Sequence, residues 1–173
     1  MQCHATFPAA VKTRYACKAC GQREGNGAGE GGGVMPLDAQ MTRTRDRLAK
    51  HEMAPPPGLE SLLPLRDGRP GKCFEDAEQI VLYAHPDSGL VLVHGKCRAP
   101  GGGQADHAWV EVPGGLVYDA VLGRVYPWET YQQTVQAVPS KRYSTTQVVA
   151  LANTTDNHGP WTPEEEQRTF TQG

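Results

Sequence analysis

The chain has 173 residues, which is long enough for one domain with a buried core. Seventeen Lys and Arg residues against nineteen Asp and Glu residues give a net charge of -2, which excludes a strong long-range attraction to nucleic acid or anionic membranes. The sequence has no run of about 20 apolar residues and no apolar stretch typical of a secretory signal. We therefore expect a soluble, cytoplasmic protein with no membrane or nucleic-acid partner.

Residues 1–23 carry a cluster of metal-binding residue types. Cys17 and Cys20 have the spacing of one half of a zinc knuckle, whose two thiolates chelate a tetrahedral ion. Cys3 and His4 offer two more ligands, but they are adjacent and lack the usual gap. Two interpretations stay open: a structural zinc site formed by these four residues, or a disordered leader. The odd total of five cysteines indicates a reducing compartment.

Residues 24–58 are predicted to form a flexible linker. Glycine and scattered charge dominate residues 24–34, so this stretch has almost nothing to bury. A short polar helix is expected within residues 37–53, where apolar positions are too sparse for a strong buried stripe. The three consecutive prolines that follow would end this helix.

Residues 59–153 are predicted to form the core of the protein. Apolar residues spaced three and four apart follow Cys73 and predict an amphipathic helix that ends at the turn signals of residues 85–89. The predicted strands are residues 89–97, 107–112, 116–121 and, after a short helix within 128–138, residues 143–152. A helix followed by a run of strands predicts an α+β domain built on an antiparallel sheet.

Residues 154–173 are predicted to form a polar tail. Within it, Thr162 followed by Pro163 and Glu165 is a helix start signal, because Thr and Glu in this spacing form a capping box and Pro suits the first helical position. A short helix is therefore expected to begin at Pro163.

Cys73 stands at the predicted start of a helix, a position that favours a reactive thiol. The unpaired N–H groups at a helix N-terminus stabilise negative charge and lower the pKa of a thiol placed there. An ordinary buried cysteine is the alternative, and Cys73 alone does not decide between the two.

The predicted hairpin supplies two partners for this thiol. With a turn at residues 113–115, Val112 lies opposite Leu116, and His107 and Asp119 share one face of the hairpin. A carboxylate on that face can hold one imidazole nitrogen while the other meets a thiol. The sequence therefore predicts a triad of Cys73, His107 and Asp119.

The segments GKCFEDA, VHGKC, HAWVEV and VYD resemble the cysteine, histidine and aspartate segments of the transglutaminase-like superfamily of papain-like thiol enzymes. The resemblance covers about residues 65–125. It implies a papain-like α+β core in which the helix carrying Cys73 packs on an antiparallel sheet. It also implies acyl transfer from an amide or ester through a thioester on Cys73, with His107 as base and Asp119 as its orienting acid. Relatives often have Pro-Thr after this aspartate, whereas this chain has Ala120 and Val121.

The acyl donor predicted from this resemblance is a peptide, a protein or a small molecule, and water or an amine accepts the acyl group, without a catalytic cofactor. Trp109 and His94 are predicted substrate contacts, with a structural role in the core as the alternative for each. Two other functional classes stay open: an inert binding protein on the same fold, and a zinc-dependent interaction protein that acts through residues 1–23.

Overall fold

A five-stranded antiparallel sheet with helices on both faces forms an α+β fold. The computed structural model describes residues 37–65, 68–99 and 103–171. The predicted zinc ligands Cys3, His4, Cys17 and Cys20 lie outside these residues. The helices are α1 (Leu37–Ala49), α2 (Cys73–Leu82), α3 (Trp128–Val135), α4 (Thr145–Thr154) and α5 (Pro163–Thr171). The strands are β1 (Val91–Arg98), β2 (Gln104–Val112), β3 (Leu116–Asp119), β4 (Arg124–Pro127) and β5 (Val138–Ser144).

The strands lie in the order β4-β3-β2-β1-β5, so β2 and its neighbours occupy the middle of the sheet. Val112 pairs with Leu116 across the turn, which confirms the predicted register of the hairpin. This register decides which face His107 occupies, because a shift of one residue would turn His107 to the other face.

Successive side chains along each strand point to opposite faces of the sheet, so the core has two layers. On one face, α2 packs against β2, and Ala77 and Val81 of the helix share a cluster with Ala108 and Val110. On the other face, α1 and α3 cover a second cluster built around Trp109, which is fully buried. The sheet is thus apolar on both sides, and polar groups buried within it need partners of their own.

The strand predicted for residues 143–152 is wrong, because most of this segment is helix α4. Ser144 caps that helix: its hydroxyl accepts a bond from the backbone N–H of Gln147, and the Gln147 side chain accepts one from the backbone N–H of Ser144. The strand at this point is β5, which ends at Ser144. Pro139 lies within β5, where an edge strand tolerates it. Strand β4 was not predicted either.

The packed core extends beyond residues 59–153 at both ends. Leu48 of α1 is fully buried in the cluster around Trp109, and Trp161 is buried in the cluster around α2. Helix α5 begins at Pro163 as predicted, with Thr162 and Glu165 exchanging capping bonds of 2.8 and 3.2 Å. In the described residues, every helix is too short or too polar to span a bilayer.

Candidate active site

His107 and Asp119 meet at the end of the hairpin formed by β2 and β3. Nε2 of His107 lies 2.9 Å from Oδ2 of Asp119, and both side chains are buried. The predicted contact between these two residues is therefore present. It arises because the register that pairs Val112 with Leu116 leaves both side chains on the same face.

Asp119 accepts three further hydrogen bonds. The hydroxyl of Tyr131 donates to Oδ2 at 2.7 Å, and the backbone N–H groups of Val121 and Leu122 donate to Oδ1 at 2.8 and 3.0 Å. Burial raises the pKa of Asp119, but the charge of His107 and the hydrogen bonds from His107, Tyr131 and Leu122 together lower the pKa below its ordinary value. Asp119 is therefore an ionised carboxylate with its acceptor sites occupied.

The ionisation of Asp119 fixes the tautomer of His107. A carboxylate can only accept hydrogen bonds, so Nε2 of His107 must be the donor. In the neutral imidazole the proton is then on Nε2, and Nδ1 carries the lone pair. His107 is therefore arranged to accept a proton at Nδ1 while Asp119 stabilises the imidazolium that results.

Tyr131 was not predicted as a site residue. It lies on α3 and is fully buried. Burial, followed by the negative charge of Asp119, raises the pKa of its phenol well above 10, so the hydroxyl stays protonated and donates. The sequence gives no signal for this contact, because the face that α3 turns toward the sheet depends on tertiary packing.

Cys73 is the first residue of α2, as predicted, and its side chain is fully buried. It belongs to the core cluster that includes Ala108, the neighbour of His107 in β2. Burial and Asp119 are the largest causes of the raised pKa of Tyr131, and electrostatic interactions with Cys97 and Cys73 are smaller ones. The thiol therefore lies within electrostatic reach of Tyr131, whose hydroxyl donates to Asp119.

The first turn of α2 carries two carboxylates, and both are paired. Glu75 forms an ion pair with Lys72 at 2.6 Å, and Asp76 forms one with Arg69. These cations offset the negative charge that would otherwise oppose a thiolate at the start of the helix.

Trp109 and His94, the predicted substrate contacts, occupy opposite faces of the sheet. Trp109 has no exposed surface, its ring centroid lies 6.2 Å from that of His107, and it stacks on Trp128 at 6.0 Å. This burial favours a packing role beside His107.

His94 lies on the α2 face, with the rings of Phe74, Tyr143 and Trp161 at 4.8 to 4.9 Å. It lines a cavity of about 220 Å³ together with Phe74 and Asp106, the chain neighbours of Cys73 and His107. Burial lowers the pKa of His94 to about 3, so its imidazole is neutral. Its role as a substrate contact stays a prediction.

Across the described ranges, no group of three or more His, Cys, Asp and Glu side chains is arranged to hold a metal ion. The four predicted zinc ligands are not among those residues. Comparisons with family models, with curated proteins and with solved structures give no match.

Proposed function

We propose that the protein is a cysteine-dependent acyl-transfer enzyme with a transglutaminase-like, papain-like core. The observation that carries this proposal is the hydrogen bond of 2.9 Å between Nε2 of His107 and an ionised Asp119. It leaves Nδ1 as the basic nitrogen, and the thiol of Cys73 at the start of α2 is the nucleophile.

The reaction begins when Nδ1 of His107 takes the proton of the Cys73 thiol. The thiolate attacks the carbonyl carbon of an amide or ester, and the carbonyl oxygen becomes an oxyanion. When the oxyanion collapses, the bond to the amine or alcohol breaks and the imidazolium gives that leaving group its proton. Cys73 now holds the acyl group as a thioester.

Water or an amine then attacks the thioester, and His107 takes a proton from this second nucleophile. Collapse of the second oxyanion breaks the C–S bond, and the thiolate recovers its proton from the imidazolium. Hydrolysis, deamidation and acyl transfer to an amine thus use the same groups and differ only in the acceptor. Asp119 stays ionised and stabilises the imidazolium in both half-reactions.

The labelling of Cys73 by iodoacetamide across pH tests this proposal. A thiolate paired with His107 reacts well below the ordinary thiol pKa of about 8.5. We expect rapid labelling of Cys73 at pH 6 in the wild type and a loss of at least tenfold in His107→Ala. Peptide mapping separates Cys73 from the other four cysteines, and His85→Ala, which removes an exposed imidazole, is the matched control. Equal rates in the wild type and His107→Ala would refute the catalytic pair.

The acyl donor can be sought by mass spectrometry. Incubation with amide or ester donors is expected to add the mass of the acyl group to Cys73 and to no other residue. His107→Ala, prepared in the same way, should show no such adduct.

An inert binding protein on the same fold is the second candidate. The complete burial of Cys73 favours it, because a nucleophile has to be reached by its substrate. Resistance of folded wild-type protein to iodoacetamide across pH 5 to 9 would support this second candidate.

A further inference from the structure

The carboxylate oxygen that holds His107 is shared with a phenol. Oδ2 of Asp119 lies 2.9 Å from Nε2 of His107 and 2.7 Å from the hydroxyl of Tyr131. Both donors are buried, so neither contact is replaced readily by water. Charge-assisted hydrogen bonds of this kind are about twice as strong as neutral ones.

Tyr131 is not required to hold the carboxylate in place. The backbone N–H groups of Val121 and Leu122 fix Oδ1 at 2.8 and 3.0 Å, within the turn that follows β3. Because these two bonds come from the main chain, they persist when a side chain on α3 is changed. The hydroxyl of Tyr131 therefore acts mainly on the charge of Asp119 and less on its position.

The phenol favours the ionised form of its partner. A hydrogen bond donated to a carboxylate stabilises the anion, and Asp119 is buried, where an anion is costly. Tyr131 itself remains a donor, because burial and the nearby negative charge oppose its own ionisation.

We propose that Tyr131 acts on the candidate triad through Asp119: its hydroxyl keeps Asp119 ionised, and the ionised carboxylate in turn keeps the proton of His107 on Nε2. This inference rests on the proposed function for its effect on Cys73, while its effect on Asp119 stands without it. In the absence of the hydroxyl, Asp119 takes up a proton at a higher pH, and His107 then loses the charge that stabilises its imidazolium.

Other titratable and charged groups surround Asp119, and they are the same in wild type and variant. Those that act on Asp119 or on the two neighbouring tyrosines are Tyr126 and Arg124 on β4, Glu52, Cys97 on β1, Cys73 on α2 and Arg45 on α1. A comparison that deletes one hydroxyl therefore isolates the contribution of Tyr131.

Tyr126 provides a matched control for this comparison. It is fully buried, stacks on Tyr131 with ring centroids 6.1 Å apart, and its hydroxyl has no hydrogen-bond partner in the part of the chain that the structure describes. Tyr131→Phe and Tyr126→Phe thus remove the same atom from neighbouring buried rings, but only the first removes a bond to Asp119.

The experiment compares the pH profiles of Cys73 labelling by iodoacetamide in the wild type and the two variants. We expect the acid side of the profile of Tyr131→Phe to move to higher pH, with labelling at pH 5 about tenfold slower. Tyr126→Phe should follow the wild-type profile. Urea unfolding verifies that all three proteins are folded. A wild-type profile in folded Tyr131→Phe, or an equal shift in Tyr126→Phe, would overturn the inference.

A second readout does not depend on a reactive thiol. The ¹³C resonance of the Asp119 carboxyl, followed in a pH titration, is expected to show protonation at higher pH in Tyr131→Phe than in the wild type and Tyr126→Phe. If Cys73 resists labelling but this shift is present, the proposed function fails while the role of Tyr131 stands. An unshifted Asp119 titration in Tyr131→Phe would refute that role whatever the thiol does.

Discussion

His94 shows how a single polar residue is accommodated in the core on the α2 face. Its imidazole is 4% exposed, and neither ring nitrogen has a hydrogen-bond partner within the described ranges. An unpartnered buried polar atom costs about 1–3 kcal/mol, more for a charged one, so the neutral ring is the less costly form. Three aromatic rings pack around it, and Gly159 lies so near that a Cβ there would overlap the imidazole.

Gly159→Ala is expected to destabilise the protein through this contact. A Cβ at residue 159 would lie 2.4 Å from Cε1 of His94, and the φ of +98° disfavours any side chain. Gly58→Ala is the matched control, because Gly58 has a φ of +86° but no atom within 4 Å of its missing Cβ. We expect Gly58→Ala to cost about 1–2 kcal/mol in urea unfolding and Gly159→Ala about 1–3 kcal/mol more. Equal losses of stability in the two variants would show that the His94 ring moves aside without a further energetic cost.

At the level of elements, helix α4 shows where local sequence signals compete. Residues 143–152 contain β-branched and aromatic residues, and this composition predicts a strand. The structure instead begins a helix at Thr145, because Ser144 and Gln147 form a capping box and Leu151 and Val148 pack inward. The same type of signal, with Thr162 and Glu165, was recognised at α5 and was right.

Ser144→Ala is expected to weaken α4 by removing the cap. Loss of an N-cap hydroxyl typically costs about 1 kcal/mol, and here it removes the bond to the backbone N–H of Gln147. Ser144→Asp keeps an acceptor and adds a negative charge at the helix N-terminus, so it should retain most of the stability. Chemical unfolding midpoints of the two variants provide the measurement. An Asp variant as unstable as the Ala variant would show that the cap is not what fixes this helix.

The contacts of the candidate site are also of two kinds. One kind follows from a local sequence pattern, and the other depends on how separate elements pack. The pairing of His107 with Asp119 follows from a short turn and the alternation of side chains, so the sequence was sufficient to predict it. Tyr131 is as close to Asp119 in the sequence as His107 is, but its contact depends on how α3 docks against β3, which the alternation of side chains in a hairpin does not determine. The role of Cys73 as nucleophile stays a prediction that the labelling experiment addresses.

At the scale of the whole molecule, a partly buried contact between a carboxylate and an imidazole links the site helix to the C-terminal part of the chain. Glu78 of α2 is 2% exposed and binds Nδ1 of His158, in the segment between α4 and α5. The same segment places Trp161 against the ring of His94. The helix that begins with Cys73 is therefore held from both sides, by the sheet and by the segment around His158.

This pair makes the stability of the protein depend on pH in a direction that can be predicted. Burial raises the pKa of Glu78 above its ordinary value of 4.5, and the hydrogen bond and charge of His158 offset only part of that effect. Between the two values the folded protein binds a proton that the unfolded chain has released. The contribution of Glu78 is therefore most favourable below pH 4.5 and is lost as the pH rises through the folded pKa.

Glu78→Gln removes this titration while keeping a side chain of the same shape that can bond to His158. We expect the free energy of unfolding of the wild type, measured relative to Glu78→Gln by urea denaturation, to fall as the pH rises from about 4.5 toward neutrality. Glu164→Gln, on the exposed face of α5, changes the net charge equally and should leave the pH dependence of the wild type intact. Parallel stability curves for the wild type and Glu78→Gln would contradict this prediction. They would mean that Glu78 has the same pKa in the folded and unfolded protein, because the effects of burial and of His158 on that pKa cancel.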